Sequence, residues 1–153
     1  MRAMDPSAAY VLLFGVSFLA ATILPAQSEL VLAGMLLSRA YQPWLLILVA
    51  TFGNTAGACV NWGLGRYMRV FRERRWFPLS AAQLARAERW YGKWGLWSLL
   101  LSWAPVIGDA LTVFAGAARV RIGMFVLLVG LAKGGRYVVL AWTVAKAGGD
   151  PLL

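Results

Sequence analysis

Four long apolar stretches constrain the fold of this 153-residue chain more than any other feature. They run over residues 8–37, 44–64, 96–118 and 122–145. Hydrophobic residues make up 61% of the chain and charged residues 14%, whereas soluble domains average roughly 45–50% and about 25%. One soluble core cannot bury so much apolar surface. We therefore predict an all-α, polytopic membrane protein whose surplus apolar side chains face lipid.

Only two of the stretches have the form of ordinary membrane spans. A bilayer core of about 30 Å needs about 20 helical residues, so residues 44–64 and 122–145 each predict one transmembrane helix. The first stretch is broken by Pro25, and the third carries Pro105 and Gly108 in its middle. Irregular backbone at membrane depth is tolerated only where protein or a water-filled cavity surrounds it. We interpret these two stretches as re-entrant helical hairpins with breaks at Pro25, Pro105 and Gly108.

The second half of the chain repeats the first at an offset of 80 residues. The matched pairs are Pro25 and Pro105, Glu29 and Asp109, Arg39 and Arg119, Trp62 and Trp142, and Arg66 and Lys146. If each half is a hairpin followed by one span, each half crosses the membrane once and the halves are inverted. The sequence thus predicts one membrane domain of two inverted repeats, residues 8–67 and 95–147, joined by a loop over residues 66–94.

The loop between the repeats predicts the orientation in the membrane. Residues 66–93 hold eight Arg or Lys residues against two Glu residues, and the positive-inside rule places such a loop in the cytoplasm. If both broken stretches are hairpins, Arg119 and Arg121 also lie on the cytoplasmic side. If all four stretches cross the membrane, both arginines lie outside, against the rule. The positive-inside rule therefore favours hairpins. The location of the termini stays open between these models. Because orientation accounts for the basic residues, we expect no nucleic-acid partner.

Part of this loop has the pattern of an amphipathic helix. Ser80 and Gln83 have the spacing of a capping box that begins a helix. Behind it, one face carries Leu84, Ala87, Tyr91 and Trp94, and another carries Arg86, Arg89 and Lys93. Such a helix is typical of the headgroup layer. The alternative is a solvated linker whose charges only set the topology.

Four ionisable residues lie deep in apolar sequence: Glu29, Asp109, Lys133 and Arg136. Each costs about 2.5–3.5 kcal/mol on insertion scales, so such residues normally face a partner or a water-filled cavity and mark a pathway. Asn54 and Asn61 are expected to line the same polar seam, because an unpaired amide in hydrocarbon is costly. We predict a substrate or proton-coupling site from these six residues. The alternative is that the charges are salt bridges or helix caps and nothing more.

Glycines predict close helix packing in both spans. Gly53, Gly57 and Gly65 follow one stripe of the first span, and Gly134 lies in the second. Small residues at such positions let another helix approach closely.

Other classes of function are excluded by composition. The chain has no His and one Cys, which removes the usual zinc clusters and His-dependent catalytic pairs. We expect no metal, no cofactor and no enzymatic activity. An intramembrane aspartyl protease is a poor match, since Val106 stands where Gly-x-Gly-Asp requires its first glycine.

The motifs resemble those of the DedA membrane proteins, also called SNARE-associated or VTT-domain proteins, and especially their short YqaA-like subgroup. The similar segments are Ser28-Glu29, Ala33-Gly34, Gly53-x-x-x-Gly57, Gly65-Arg66-Tyr67, Trp90-Tyr91-Gly92, Pro105 and Ala115-Gly116. Typical members carry Arg three residues before and after the hairpin proline, where this chain has Ser102 and Gly108. The resemblance is therefore weakest at the expected site.

The resemblance implies a multi-pass protein of the bacterial inner membrane that translocates undecaprenyl phosphate, a phospholipid or an ion. From the four charges in apolar sequence we hypothesise that Lys133 and Arg136 attract an anionic headgroup, while Glu29 and Asp109 gate or couple its movement through protonation. Membrane lipids are the expected partners. A homodimer is also expected, because two full spans per chain hardly enclose a polar cavity. The alternative is a structural or assembly factor with no transport activity.

Overall fold

The computed structural model describes residues 5–22, 27–67, 80–104 and 107–148. In these ranges it contains six α-helices and one 3₁₀ helix, and no strand. The predicted all-α class is confirmed. In chain order the elements are α1 (Pro6–Ala20), α2 (Gln27–Leu37), α3 (Pro43–Arg66), α4 (Ala81–Trp94), the 3₁₀ helix (Gly95–Trp103), α5 (Ile107–Ala117) and α6 (Ile122–Gly148).

Two of the described helices are long and apolar enough to cross a membrane. α3 has 24 residues and α6 has 27, or about 36 and 40 Å at 1.5 Å per residue, against roughly 30 Å of hydrocarbon. Large apolar side chains are exposed along both, among them Phe52, Val60, Leu131 and Val139. These surfaces suit contact with lipid. Both apolar stretches predicted to be full spans therefore form helices of spanning length.

The remaining apolar helices are too short to cross a bilayer alone. α1 has 15 residues and packs against α2, which has 11. In the second half, the nine-residue 3₁₀ helix packs against the 11 residues of α5. The predicted break residues Pro25 and Pro105 lie outside the described residues. Gly108 lies inside them, where a Cβ atom would come within 2.3 Å of the Ser102 carbonyl oxygen.

The two halves share their local geometry at the offset of 80 residues. The bounds of α5 are those of α2 shifted by 80 positions. After each of these helices an arginine takes a left-handed backbone conformation, with φ of 55° at Arg39 and 58° at Arg119. Their amide groups donate to the carbonyl oxygens of Leu36 and Gly116, which are also 80 residues apart. The sequence match therefore extends to helix length and to the turn that ends the helix.

Glycines of α3 bring α1 into backbone contact. A Cβ atom at Gly53 would lie 2.6 Å from the carbonyl oxygen of Phe14, and one at Gly57 would lie 2.3 Å from that of Phe18. Any larger residue at these positions must push the helices apart. Gly134 of α6 differs, because its Cβ position lies 3.4 Å from a threonine of α3, an ordinary van der Waals distance.

The contact between α3 and α5 is closer still. A Cβ atom at Gly65 would lie 1.8 Å from the Val113 carbonyl oxygen, and one at Gly116 would lie 1.8 Å from that of Trp62. The two glycines therefore face each other's helix backbone across one crossing point. Such contact between small residues is the main way in which helices pack tightly in lipid.

Helix α4 begins at the predicted capping box. The Ser80 amide donates to Gln83 Oε1 at 2.8 Å, and the Gln83 amide donates to Ser80 Oγ at 3.3 Å. Ala87 is buried, and the Tyr91 ring lies 5.3 Å from the Phe114 ring on α5. Trp94, which the pattern places on the same apolar face, is 52% exposed. Only part of this apolar face therefore packs on the protein.

Candidate functional site

A buried lysine lies between the two spanning helices. Lys133 of α6 is only 6% exposed, and its ammonium group donates a hydrogen bond to Asn54 Oδ1 on α3. The hydrogen-bond partner of Lys133 is thus a neutral amide. Its oxygen carries only a partial negative charge, whereas a buried cation normally pairs with a full negative charge. A buried cation is costly at membrane depth, so this lysine is the most informative residue of the site.

Tyr137 extends the network around Lys133, although it was not among the predicted site residues. Its hydroxyl accepts a hydrogen bond from Asn54 Nδ2 at 2.7 Å and lies 2.9 Å from Ser28 Oγ on α2. Tyr137 is buried and lies one helical turn after Lys133. That spacing of four residues is the signal in the sequence that could have identified it.

Arg136 joins the two halves of the molecule. Its guanidinium forms a salt bridge with Glu29 at the start of α2, and its Nη1 donates to the carbonyl oxygen of Trp103 at 2.7 Å, where the 3₁₀ helix ends. The Arg136 and Glu29 side chains are 26% and 27% exposed, so they lie at the edge of the packed interior. One side chain therefore connects both short-helix pairs to α6.

Asp109 lies on the second-repeat side of the same charges. It is half-buried in the first turn of α5, as Glu29 is in the first turn of α2, and a helix N-terminus stabilises a carboxylate there. Asp109 interacts electrostatically with Lys133 and Arg136. Two acids and two bases, all predicted from the sequence, therefore lie in one region of the structure.

Asn61 is separate from this network. It lies seven residues after Asn54 on α3, about 10 Å along the helix at 1.5 Å per residue. Its Nδ2 donates to the Ala21 carbonyl oxygen at 2.7 Å and lies 3.4 Å from Thr112 Oγ1 on α5. Asn61 thus connects the end of α1 to α5, and the structure places it in the packing between the halves.

The site offers cations, carboxylates, hydroxyls and amides. Among the residues that the structure describes, no three His, Cys, Asp or Glu side chains come together to hold a metal ion. In the same ranges four buried polar atoms have no hydrogen-bond partner: Ser17 Oγ, Thr55 Oγ1, Asn61 Oδ1 and Ser102 Oγ. Such an arrangement can bind an anion through Lys133 and Arg136 and can carry protons on Glu29 and Asp109.

A helical membrane protein with a charged, hydrogen-bonded centre beside its two spanning helices is the class that this fold and site define. Residues 24–146 match the family model of the VTT domain. The chain therefore belongs to the VTT-domain family, and the identification of DedA-type motifs in the sequence is confirmed.

Sequence relatives agree with this assignment. Inner membrane protein YqaA of Escherichia coli K12 is 43% identical over 129 residues, which cover 84% of this chain and 86% of that protein. An uncharacterized protein of Haemophilus influenzae is 34% identical over 131 residues, covering 81% and 80%. Undecaprenyl phosphate transporter A of Staphylococcus aureus is 25% identical over 115 residues, covering 69% and 57%. No solved structure gives a significant match.

Proposed function

We propose that this protein translocates a lipid phosphate, such as undecaprenyl phosphate or a phospholipid, across the bacterial inner membrane, with coupling to protons. The observation that carries the proposal is Lys133, a buried cation held by a neutral amide beside a second cation, Arg136. A phosphate oxygen forms a stronger, charge-assisted hydrogen bond to an ammonium group than an amide does. The names of the E. coli and S. aureus relatives support the membrane and the substrate class.

We further propose that the two halves are inverted repeats, each a re-entrant hairpin plus one span. α3 packs against α1 and α5, while α6 packs against the 3₁₀ helix and α2. These contacts are equivalent in the two halves. The set stays the same when each element is replaced by its counterpart, α1 by the 3₁₀ helix, α2 by α5 and α3 by α6. A binding site between inverted repeats, near broken helices, is the arrangement of many secondary transporters. In this model the loop over residues 66–93 is cytoplasmic.

The proposed mechanism begins with exchange of hydrogen-bond partners. An arriving phosphate takes the Lys133 ammonium from Asn54 and draws Arg136 away from Glu29. A carboxylate that loses its cation at membrane depth is costly unless it takes up a proton. Glu29, and Asp109 on the other side of the same cations, then carry the proton that accompanies the headgroup.

Removing these carboxyl groups is expected to uncouple transport. In proteoliposomes, Glu29→Gln and Asp109→Asn should each lower the flux of labelled undecaprenyl phosphate under a pH gradient by at least about tenfold, equivalent to roughly 1.4 kcal/mol. Glu88→Gln, at an exposed acid of α4, is the matched control and should transport normally. If both site variants are folded and inserted and move lipid as fast as the wild type, the proposed role of the carboxylates is wrong.

The Glu29–Arg136 salt bridge also favours a second candidate, a structural or assembly factor whose charges lock the fold. The double variant Glu29→Arg with Arg136→Glu separates the two. A locking pair should tolerate the exchange, so the double variant would regain both the thermal stability and the cellular function that each single variant loses. A translocation pathway should regain stability while flux stays at least about tenfold below wild type. Melting temperature and flux are measured on the same preparations.

A further inference from the structure

Two stripes on α4 enclose a cavity outside the site between the spanning helices. Arg89 and Lys93 are four residues apart, as are Trp90 and Trp94, so each pair occupies one stripe and the stripes adjoin. These four side chains line an open cavity of about 240 Å³. The volume is somewhat below the roughly 300–1,000 Å³ of pockets for drug-sized ligands, and it suits a headgroup.

The cavity lies beside the packed side of α4. Ala87 is buried and Tyr91 packs on Phe114, which fixes the helix to α5. Trp90 and Trp94 are 37% and 52% exposed. These indoles lie between the apolar packed face and the cationic stripe, and Trp is enriched at this boundary in membrane interfaces.

The cavity is lined by two cations, Arg89 and Lys93. Across the part of the chain that the structure describes, neither of them forms a salt bridge with a carboxylate. Lys93 Nζ lies 5.5 Å from the centroid of the Trp94 ring, a contact that leaves its positive charge available to an anion. Two cations about one helical turn apart are therefore available to bind a negatively charged group.

We propose that this cavity binds the phosphate headgroup of an anionic phospholipid from the leaflet on which α4 lies. Arg89 and Lys93 bind the phosphate oxygens, and Trp90 and Trp94 contact the glycerol and the first methylenes of the acyl chains. A soluble phosphate has no apolar part that could contact the exposed indoles, whereas a lipid has one. The surface therefore fits a lipid. The bound lipid holds α4, and through Tyr91 also α5, against the leaflet. This site is independent of the transport proposal.

Native mass spectrometry of the full-length protein, titrated with short-chain phosphatidylglycerol and phosphatidylcholine, tests the proposal. Each basic residue near a membrane surface contributes about 1 kcal/mol, so Arg89→Gln with Lys93→Gln should weaken phosphatidylglycerol binding roughly 30-fold. Arg86→Gln with Arg121→Gln removes two exposed cations outside the cavity and should weaken it less than about threefold. Trp90→Leu with Trp94→Leu should weaken it while keeping all charges.

Three results would overturn the site. Equal losses in both charge variants would mean diffuse surface electrostatics, and equal affinity of the wild type for the two lipids would exclude selection of an anion. Displacement of phosphatidylglycerol by equimolar glycerol phosphate would assign the cavity to a soluble phosphate. Circular dichroism checks folding, and Arg89→Lys, which keeps the charge on α4, should retain binding within about threefold.

Discussion

Replacing Gly65 with alanine is expected to destabilise the protein by at least about 2 kcal/mol, because the added methyl group overpacks the crossing of α3 and α5. The new Cβ atom would lie 1.8 Å from the Val113 carbonyl oxygen. Neither atom can rotate away, since the oxygen belongs to the helix backbone and a Cβ atom is bonded directly to it, so the two helices must separate. Gly116→Ala should have the same effect through the Trp62 carbonyl oxygen. The measurement is the free energy of unfolding in mixed micelles.

Gly63→Ala is the matched control for this prediction. Gly63 lies on the same helix two residues away, and its Cβ position has nothing within 4 Å. Alanine favours a helix interior over glycine by about 0.5–1 kcal/mol, so this variant should be slightly more stable than wild type. The two alanine substitutions are thus expected to change the free energy of unfolding in opposite directions. Equal effects of Gly65→Ala and Gly63→Ala would contradict the close contact between α3 and α5.

The second large effect is expected at Lys133. Lys133→Met keeps the length of the side chain and removes its charge, so headgroup binding loses a charge-assisted hydrogen bond worth about 1.5–3 kcal/mol. Flux of undecaprenyl phosphate should fall by roughly 10- to 150-fold. Stability should stay within about 3 kcal/mol of wild type, because the substitution removes a costly buried cation but leaves Asn54 Oδ1 buried without its hydrogen-bond donor.

Lys146→Met makes the same chemical change at the exposed end of α6, where the ammonium group lies over the Trp142 ring. It should leave flux within about twofold of wild type, as expected for a surface charge far from the pathway. A large loss of stability in Lys133→Met without loss of flux would contradict the assignment of Lys133 to the transport site. Lys133 would then serve the fold, and the transport site would lie elsewhere.

The broad architecture was readable from the sequence because membranes impose strict rules. Apolar length and backbone hydrogen bonding predicted the all-α class and both spanning helices. Expensive charges in apolar sequence pointed to Glu29, Asp109, Lys133 and Arg136, and the structure places all four in one region. The sequence match at an offset of 80 residues also pairs Arg39 with Arg119, and the structure gives both arginines the same left-handed backbone conformation.

Pairings between distant residues were not readable, because they depend on how helices rotate against each other. Charge balance alone did not show that Arg136 pairs with Glu29 while Lys133 contacts a neutral amide. Tyr137 was missed because a tyrosine in an apolar helix carries no charge penalty that would mark it. Asn61 was grouped with Asn54 by residue type, yet it lies two turns away and contacts other elements.

The most direct test of the central proposal is lipid flux by the wild-type protein in proteoliposomes. Labelled undecaprenyl phosphate and a labelled phospholipid are followed from one leaflet to the other, with and without a pH gradient. We predict flux of at least one of them at least about tenfold above protein-free vesicles, faster with the gradient, and lost in Lys133→Met. Flux at the protein-free level for both lipids, from protein shown to be folded and inserted, would contradict the proposal.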